Sequence, residues 1–182
     1  SLDVPTSDGR TPLHRAAAAG HAGIVDALLR AGACPDSRSR DGHSPLSVAA
    51  MNGCLDIANR LLAANAEIEM EGAPLQPPLH CAAAQGHAAI ASRLITAGAD
   101  LESLDEGGAT PLIRAAERGN RRMVELLLDH AFRNLNLHRV ALIVFGGNER
   151  AIRAYEKCGF VREGLLREDG FIEGRYIDVL AM

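Results

Sequence analysis

The chain of 182 residues is 47% apolar and 3% aromatic, has no tryptophan, and carries a formal net charge of −4. That content suits a folded soluble chain rather than a disordered one, and the acidic balance offers nothing to nucleic acid, which favours a basic surface. Cys34, Cys54, Cys81 and Cys158 are widely spaced with no CxxC pair, so neither a disulfide framework nor a zinc site is indicated, and reduced thiols are expected. No apolar run approaches the roughly 20 residues of a membrane helix. No signal-peptide pattern precedes the first organised stretch. The expected location is therefore inside the cell, in the cytoplasm.

Taken in order, Pro12, Pro45, Pro78 and Pro111 fall 33 residues apart, and Gly20, Gly53, Gly86 and Gly119 keep the same beat. A fixed period of this size marks a solenoid. In Thr11-Pro12-Leu13-His14, Thr11 suits a helix N-cap and Pro12 the first helical position, where its missing N–H is not needed. Gly20 then closes a short helix with a left-handed cap. A second helix follows through Ile24–Leu29, and Gly32 stops it. The abundance of alanine suits short helices packed closely.

These residues resemble the ankyrin repeat. The matching stretches are 8–33, 41–66, 78–99 and 108–128. The resemblance implies two antiparallel helices and an extended finger per unit, with neighbours stacked to bury faces that no single unit can bury. It also implies that His14 and His80, in the TPLH position, are structural, as are His21 and His87 after the helix-ending glycines. The sequence departs from the pattern at Pro77, which replaces the capping threonine, and at Ser47 and Ile113, which replace the histidine. In this family partners are met by the fingertips and inner helices. Carried over position by position, the protein-binding residues are Arg10, Arg40, His43, Met51, Asn52, Gln76, Gln85, Glu117 and Arg118, with Met51 as a soft anchor. Arg10, Arg38 and Arg40 give the first two fingers a basic tint and a mild preference for an acidic partner.

The fourth unit breaks the pattern. The stop position holds Gly32, Asn65 and Gly98, all tolerant of a left-handed backbone, and then Ala131, which favours helix. The helix beginning at Arg121 is therefore expected to run on to Phe132 or Arg133. This last unit lacks the polar outer face of a capping repeat, so something else must cover it. Beyond it, Leu137–Phe145 is nearly continuously apolar and reads as a strand buried on both faces. Asn148 can cap a helix over Glu149–Lys157. Phe160–Arg167 and Tyr176–Met182 read as two strands, with Asp169-Gly170 and Glu173-Gly174 as candidate turns.

Residues 126–132, 136–168 and 173–182 resemble the C-terminal half of the GNAT acetyltransferase superfamily. The specific part is the pattern Asn148, Ala151, Tyr155, Gly159, Phe160. The resemblance implies that Asn148 matches a contact to the pantetheine arm of acetyl-CoA, and Tyr155 the general acid that protonates the leaving thiolate. The family's glycine-rich pyrophosphate loop is replaced by the turn Ala116-Glu117-Arg118-Gly119-Asn120, and its first four strands are not represented. A helix N-terminus with free backbone donors is what pyrophosphate requires.

The expected fold is an α-solenoid of ankyrin repeats over residues 1–132, followed at 133–182 by a small α+β half-domain of GNAT type, in the order β-α-β-β, with a shared helix at the junction. The expected function is a protein-interaction scaffold with a partner on the concave face. The tail serves as a non-catalytic cap or self-association module, pairing through the open edge of the strand Leu137–Phe145. No cofactor and no metal are expected. The alternative is an acetyl-CoA-dependent N-acetyltransferase half completed by another chain, in which Tyr155 becomes catalytic. A recombinant or chimeric fusion predicts the same chemistry.

Overall fold

The computed structural model describes residues 2–69, 76–134, 143–145, 149–157, 164–172 and 175–181. Helices come in pairs: α1 (Pro12–Ala18) with α2 (Ala22–Arg30), α3 (Pro45–Met51) with α4 (Leu55–Ala63), α5 (Pro78–Gln85) with α6 (Ala88–Thr96), and α7 (Pro111–Glu117) with α8 (Arg121–Asn134). The inner helices α1, α3, α5 and α7 stack in that order, and the outer helices α2, α4, α6 and α8 stack behind them. This is the expected solenoid of paired helices.

Alanine makes the stack possible. Ala16-Ala17, Ala49-Ala50, Ala82-Ala83 and Ala115-Ala116 occupy one position of the period, and all are buried. Their small side chains let successive inner helices approach closely, and a larger side chain there would overpack the interface. Behind them Leu13, Leu46 and Leu79 are buried on the inner row, and Val25, Ala58, Ala91 and Val124 on the outer.

Polar groups lock the spacing. Nε2 of His14 donates to the carbonyl of His43 in the next repeat (2.9 Å), while Nδ1 accepts from the Thr11 N–H (3.1 Å). Those partners fix the tautomer, because a carbonyl can only accept and an amide N–H can only donate. Ser47 does the same job with a hydroxyl, which donates to the Gln76 carbonyl (2.6 Å). Nε2 of His80 lies between the carbonyls of Ser103 (3.0 Å) and Ala109 (2.9 Å). A second ladder runs through the loops. Carboxylates of Asp3, Asp36 and Glu69 accept from the N–H of Cys34, Glu67 and Asp100, each 31 residues on.

The stop positions behave as read. Gly32, Asn65 and Gly98 have φ of +90°, +58° and +102°, and Asn65 is the one non-glycine residue with positive φ among the described residues. Ala131 instead lies inside α8, which runs 14 residues where α2, α4 and α6 run 9. The loop ladder ends for the same reason: the N–H that Glu102 would need, at residue 133, belongs to the helix.

Beyond α8 the described elements are β1 (Ile143–Phe145), α9 (Glu149–Lys157), β2 (Gly164–Ile172) and β3 (Arg175–Ala181). β3 lies between the other two strands and pairs antiparallel with both. The order β-α-β-β and the bounds of α9 agree with the sequence reading, but two details differ, the end of β2 and the place of the hairpin turn. Only Ile143–Phe145 of the expected strand is described as strand, and residues 135–142 and Asn148 lie outside the described residues. Strand β2 runs on to Ile172, and residues 158–163 again lie outside the described residues. Asp169-Gly170 is not the hairpin turn. It falls within β2, where the register shifts between Leu166 and Gly170, and the pairing Ile172↔Arg175 places the connection at 173–174.

α9 packs against α7, with a smaller contact to α8. Ile152 and Tyr155 are both buried and join the same apolar cluster as Met123, Val124 and Leu127. The exposed end of the fourth repeat is thus covered, as its apolar face requires.

Pro77 leaves a visible defect. Ser44 and Thr110 accept the N–H three residues on, at 3.1 and 3.3 Å, but Pro77 has no side-chain cap bond. It also has no N–H to offer, so the buried Nδ1 of His80 stands without a partner. Pro77→Thr is expected to supply both bonds. The gain is about 1 kcal/mol after the loss of proline's restraint on the unfolded chain. A raised urea midpoint with unchanged slope would register it, and a lowered midpoint would contradict this account.

Candidate functional site

The inner helices and fingers of the second to fourth repeats enclose a concave pocket of about 410 Å³. Met51, Ala84 and Glu117, near the ends of α3, α5 and α7, share one position of the period and line the pocket three times, and Gln85 and Arg118 share the next. Gln76 enters from the segment before α5. Five of the nine residues expected on the binding face are thus brought together.

The other four are not in this pocket. Arg10 is half-buried, with its Nε 3.7 Å from Asp8. Asn52 caps α3, its amide donating to the Val48 carbonyl (2.8 Å). His43 is half-buried, and burial lowers its pKa from the ordinary value. Arg40 is exposed, and its N–H donates to the Asp8 carbonyl (3.1 Å), tying the first two fingers together.

Six further residues line the pocket that sequence reasoning did not place there: His80, Cys81, Ala84, Asp105, Gly107 and Arg114. Asp105 organises its finger by accepting from the N–H of Gly107 (2.9 Å) and Ala109 (3.1 Å). Arg114 from α7 bonds both oxygens of Asp105 and reaches Glu117 at 2.9 Å. A side chain at Gly107 would meet that guanidinium at 2.6 Å, so the finger backbone closes over it. Burial alone would raise the Asp105 pKa; the Arg114 bond and the Ala109 N–H outweigh it, and the net shift is downward. The Arg114 guanidinium is held further toward its charged form, chiefly by Asp105. A signal for this pair did exist in the sequence. Arg15 and Arg114 share one position of the period, and Arg15 pairs with Asp8 (3.1 Å) as Arg114 pairs with Asp105.

The cysteine, histidine and aspartate invite a test for nucleophilic chemistry. Burial, and then the charge of Asp105, push the Cys81 thiol up to about 12, so it is no thiolate at neutral pH. His80 spends Nε2 on two backbone carbonyls, and burial lowers its pKa. The carboxylate of Asp105 is held by Arg114. Each group is committed to structure, so the pocket is suited to binding rather than reaction. Among the described residues no group of three or more His, Cys, Asp or Glu is placed to hold a metal ion. Among them, too, no helix is long and apolar enough to cross a membrane.

Residues 1–72 and 72–139 each match the family model for ankyrin repeats (3 copies). The chain belongs to the ankyrin repeat family. Its repeat region is of the ankyrin type, with paired helices, and such repeats typically serve as protein-binding scaffolds.

A separate similarity is shorter. The chain is 48% identical over 62 residues to a spermidine N(1)-acetyltransferase of Vibrio cholerae, covering 34% of this chain and 36% of that protein. It is 43% identical over 61 residues to a spermidine N(1)-acetyltransferase of Escherichia coli, covering 34% and 33%. It is 40% identical over 55 residues to a probable N-acetyltransferase of Bacillus subtilis, covering 30% of each. The chain thus spans about a third of the length of the acetyltransferases it matches.

Arg114→Met removes the countercharge from a carboxylate that is only 6% exposed. A loss of about 2 kcal/mol is expected, less than for a fully buried pair because about a third of Arg114 is in water. Arg118→Met, on the exposed rim, is expected to stay within about 0.5 kcal/mol. Chemical denaturation of both variants decides the point, and equal effects would mean that Arg114 is no clamp.

Proposed function

We propose that the chain is a protein-binding scaffold of ankyrin type over residues 1–132, ending in a non-catalytic, acetyltransferase-like segment over 133–182 that caps the array. One observation carries the binding part. Met51, Gln76, Gln85, Glu117 and Arg118 line a single concave pocket, while the titratable groups beside them are already bonded. The glutamine amides suit the backbone of a partner segment, and Met51 offers an adaptable apolar contact. Arg10, Arg40, His43 and Asn52 belong to the same reading as the margin of the face.

Support for the cap lies in Tyr155. In the acetyltransferase resemblance this hydroxyl is the acid for a departing thiolate. Here Tyr155 is buried and its hydroxyl donates to the Leu112 carbonyl on α7 (3.4 Å). Completed by another chain, the segment could still act with acetyl-CoA, and the identity to acetyltransferases favours keeping that second reading. For self-association we propose the strand Leu137–Phe145. Among the described residues its strand β1 stands at the end of the sheet with β3 on one side only, and an open edge invites pairing with a second copy.

Photo-crosslinkers at Gln85 and, on the outer helix α6, at Ser92 test the binding face. Adducts with other proteins are expected at Gln85 alone, and Met51→Asp is expected to reduce them at least ~10-fold. Equal yields at both positions would sink the reading. For the tail, Tyr155→Ala is expected to destabilise the fourth repeat by about 3 kcal/mol. Amide exchange should then quicken in α7 and α8 and stay unchanged in α1–α4. Calorimetry with acetyl-CoA separates the two readings, since micromolar binding would favour the enzyme. Light scattering addresses the strand, which a strictly monomeric chain would remove from the proposal.

A further inference from the structure

The chain has seven asparagines, and Asn52 is the one followed by glycine. The pair forms the turn between α3 and α4, and both residues are exposed. Asn52 caps α3 with φ −93° and ψ 2°, and its Nδ2 donates to the Val48 carbonyl (2.8 Å). Gly53 has φ of +74° and no side chain to shield its nitrogen. Its hydrogen bonding also departs from its column. Gly20, Gly86 and Gly119 each donate their N–H to the carbonyl three residues back, and among the described residues Gly53 makes no such bond. Its nitrogen is left free next to the one amide carbon with which it can close a succinimide ring.

A base stands beside this nitrogen. His87, half-buried at the start of α6, donates from Nε2 to the Met51 carbonyl (3.2 Å). A carbonyl only accepts, so the neutral ring carries its proton on Nε2 and keeps a lone pair on Nδ1. The ring lies against Gly53: a Cβ there would stand 2.8 Å from Cε1 and 3.1 Å from Nδ1. In the next repeat Asn120 fills the position of His87 and reaches the Ala83 and Ala84 carbonyls (3.1 and 3.0 Å) with an amide, which is no base. The glycine it faces, Gly86, follows Gln85. Asn-Gly and an imidazole thus meet at the joint between the second and third repeats.

We infer that Asn52-Gly53 is a site of self-modification, in which His87 takes the proton of the Gly53 nitrogen as that nitrogen attacks Cγ of Asn52. The N–Cγ bond forms and the Cγ–Nδ2 bond breaks. Nδ2 receives the proton and leaves as ammonia, and a succinimide remains. Water then opens the imide at either carbonyl. Opening at Cγ leaves aspartate. Opening at the main-chain carbonyl leaves isoaspartate, with one more carbon in the main chain and a free carboxylate. The only co-reactant is water, which the exposed turn admits.

The surroundings dictate what each product does. A carboxylate only accepts, so neither product can donate to the Val48 carbonyl as the amide did. Isoaspartate also lengthens the chain ahead of Gly53, whose fit against the His87 ring leaves no room, and so displaces the Met51 carbonyl from Nε2. Both products loosen the joint, and Met51 lines the concave pocket. The modification is a slow, one-way loosening of the array, independent of what the pocket binds.

The test holds the full chain folded in mildly alkaline buffer and follows each asparagine by peptide mapping, with isoaspartyl methyltransferase labelling. Asn52 is expected to convert before any other asparagine, with release of ammonia, and Asn52→Gln to stay unconverted there. His87→Asn, which copies the joint made by Asn120, is expected to convert at least ~10-fold more slowly. The converted fraction, separated by its added charge, is expected to show a lower urea midpoint and faster amide exchange in α3 and α5. The inference fails if another asparagine converts first, or if Asn52 keeps its amide in the folded chain while losing it in urea. It fails equally if His87→Asn reacts as fast as the parent, or if conversion leaves the midpoint unchanged.

Discussion

The structure rests on the approach of one inner helix to the next. The buried alanine pairs set that distance, and the bonds from His14, Ser47 and His80 to carbonyls of the following repeat hold it. Neither part suffices alone. Alanine packing is non-directional and would tolerate sliding, while a single neutral hydrogen bond contributes only about 1 kcal/mol. Together they fix a spacing at which Gly53 must lack a side chain, since a Cβ there would stand 2.8 Å from the His87 ring. The residue at the last position of the series obeys the same constraint. Among the described residues no further repeat follows whose carbonyl a histidine at Ile113 could reach, and an apolar side chain suits an array that ends against another apolar surface.

Much of this was legible because the repeats solve one problem four times. A residue that recurs at the same beat under the same constraint, such as the proline at the first helical position or the glycine at the stop, announces its role. Departures were legible for the same reason: Ala131 in a column of Gly32, Asn65 and Gly98 foretold the longer α8. Reading down columns hid what occurs at the ends of the array. Arg114 sits in a column whose middle members are Val48 and Cys81, so its pairing with Asp105 has no counterpart in the two inner repeats. The destination of Tyr155 was hidden for a different reason. Its hydroxyl partner lies 43 residues back, on a repeat with which the tail shares no period. Hydrophobicity shows that such a side chain is buried; it does not show against what.

The clamp at Arg114 links the core to the binding pocket. Were this guanidinium free, its charge would dominate the concave face and favour any anion. Bonded to Asp105 and Glu117 it is nearly neutralised, and under the proposed binding reading recognition falls to the glutamine amides, Met51 and the rim. Such a surface selects by shape and hydrogen bonding rather than by long-range charge, which salt would screen.

The junction helix α8 is where two kinds of order meet. Its first turns keep the repeat register, with Met123, Val124 and Leu127 buried as their counterparts are. Its last turn continues past the stop, so residue 133, whose N–H the loop ladder would next engage, lies within the helix. The array nevertheless treats the tail as a repeat in one respect: α9 packs against α7, as α7 packs against α5. The array requires of its last neighbour only an amphipathic helix of suitable length with an apolar face, and Ile152 and Tyr155 provide it. A helix outside the repeat period can meet that demand because the inter-repeat contact is set mainly by small residues on the receiving side. The segment is therefore compatible with the solenoid without sharing its period, and Tyr155 serves here as an apolar wedge with a polar tip.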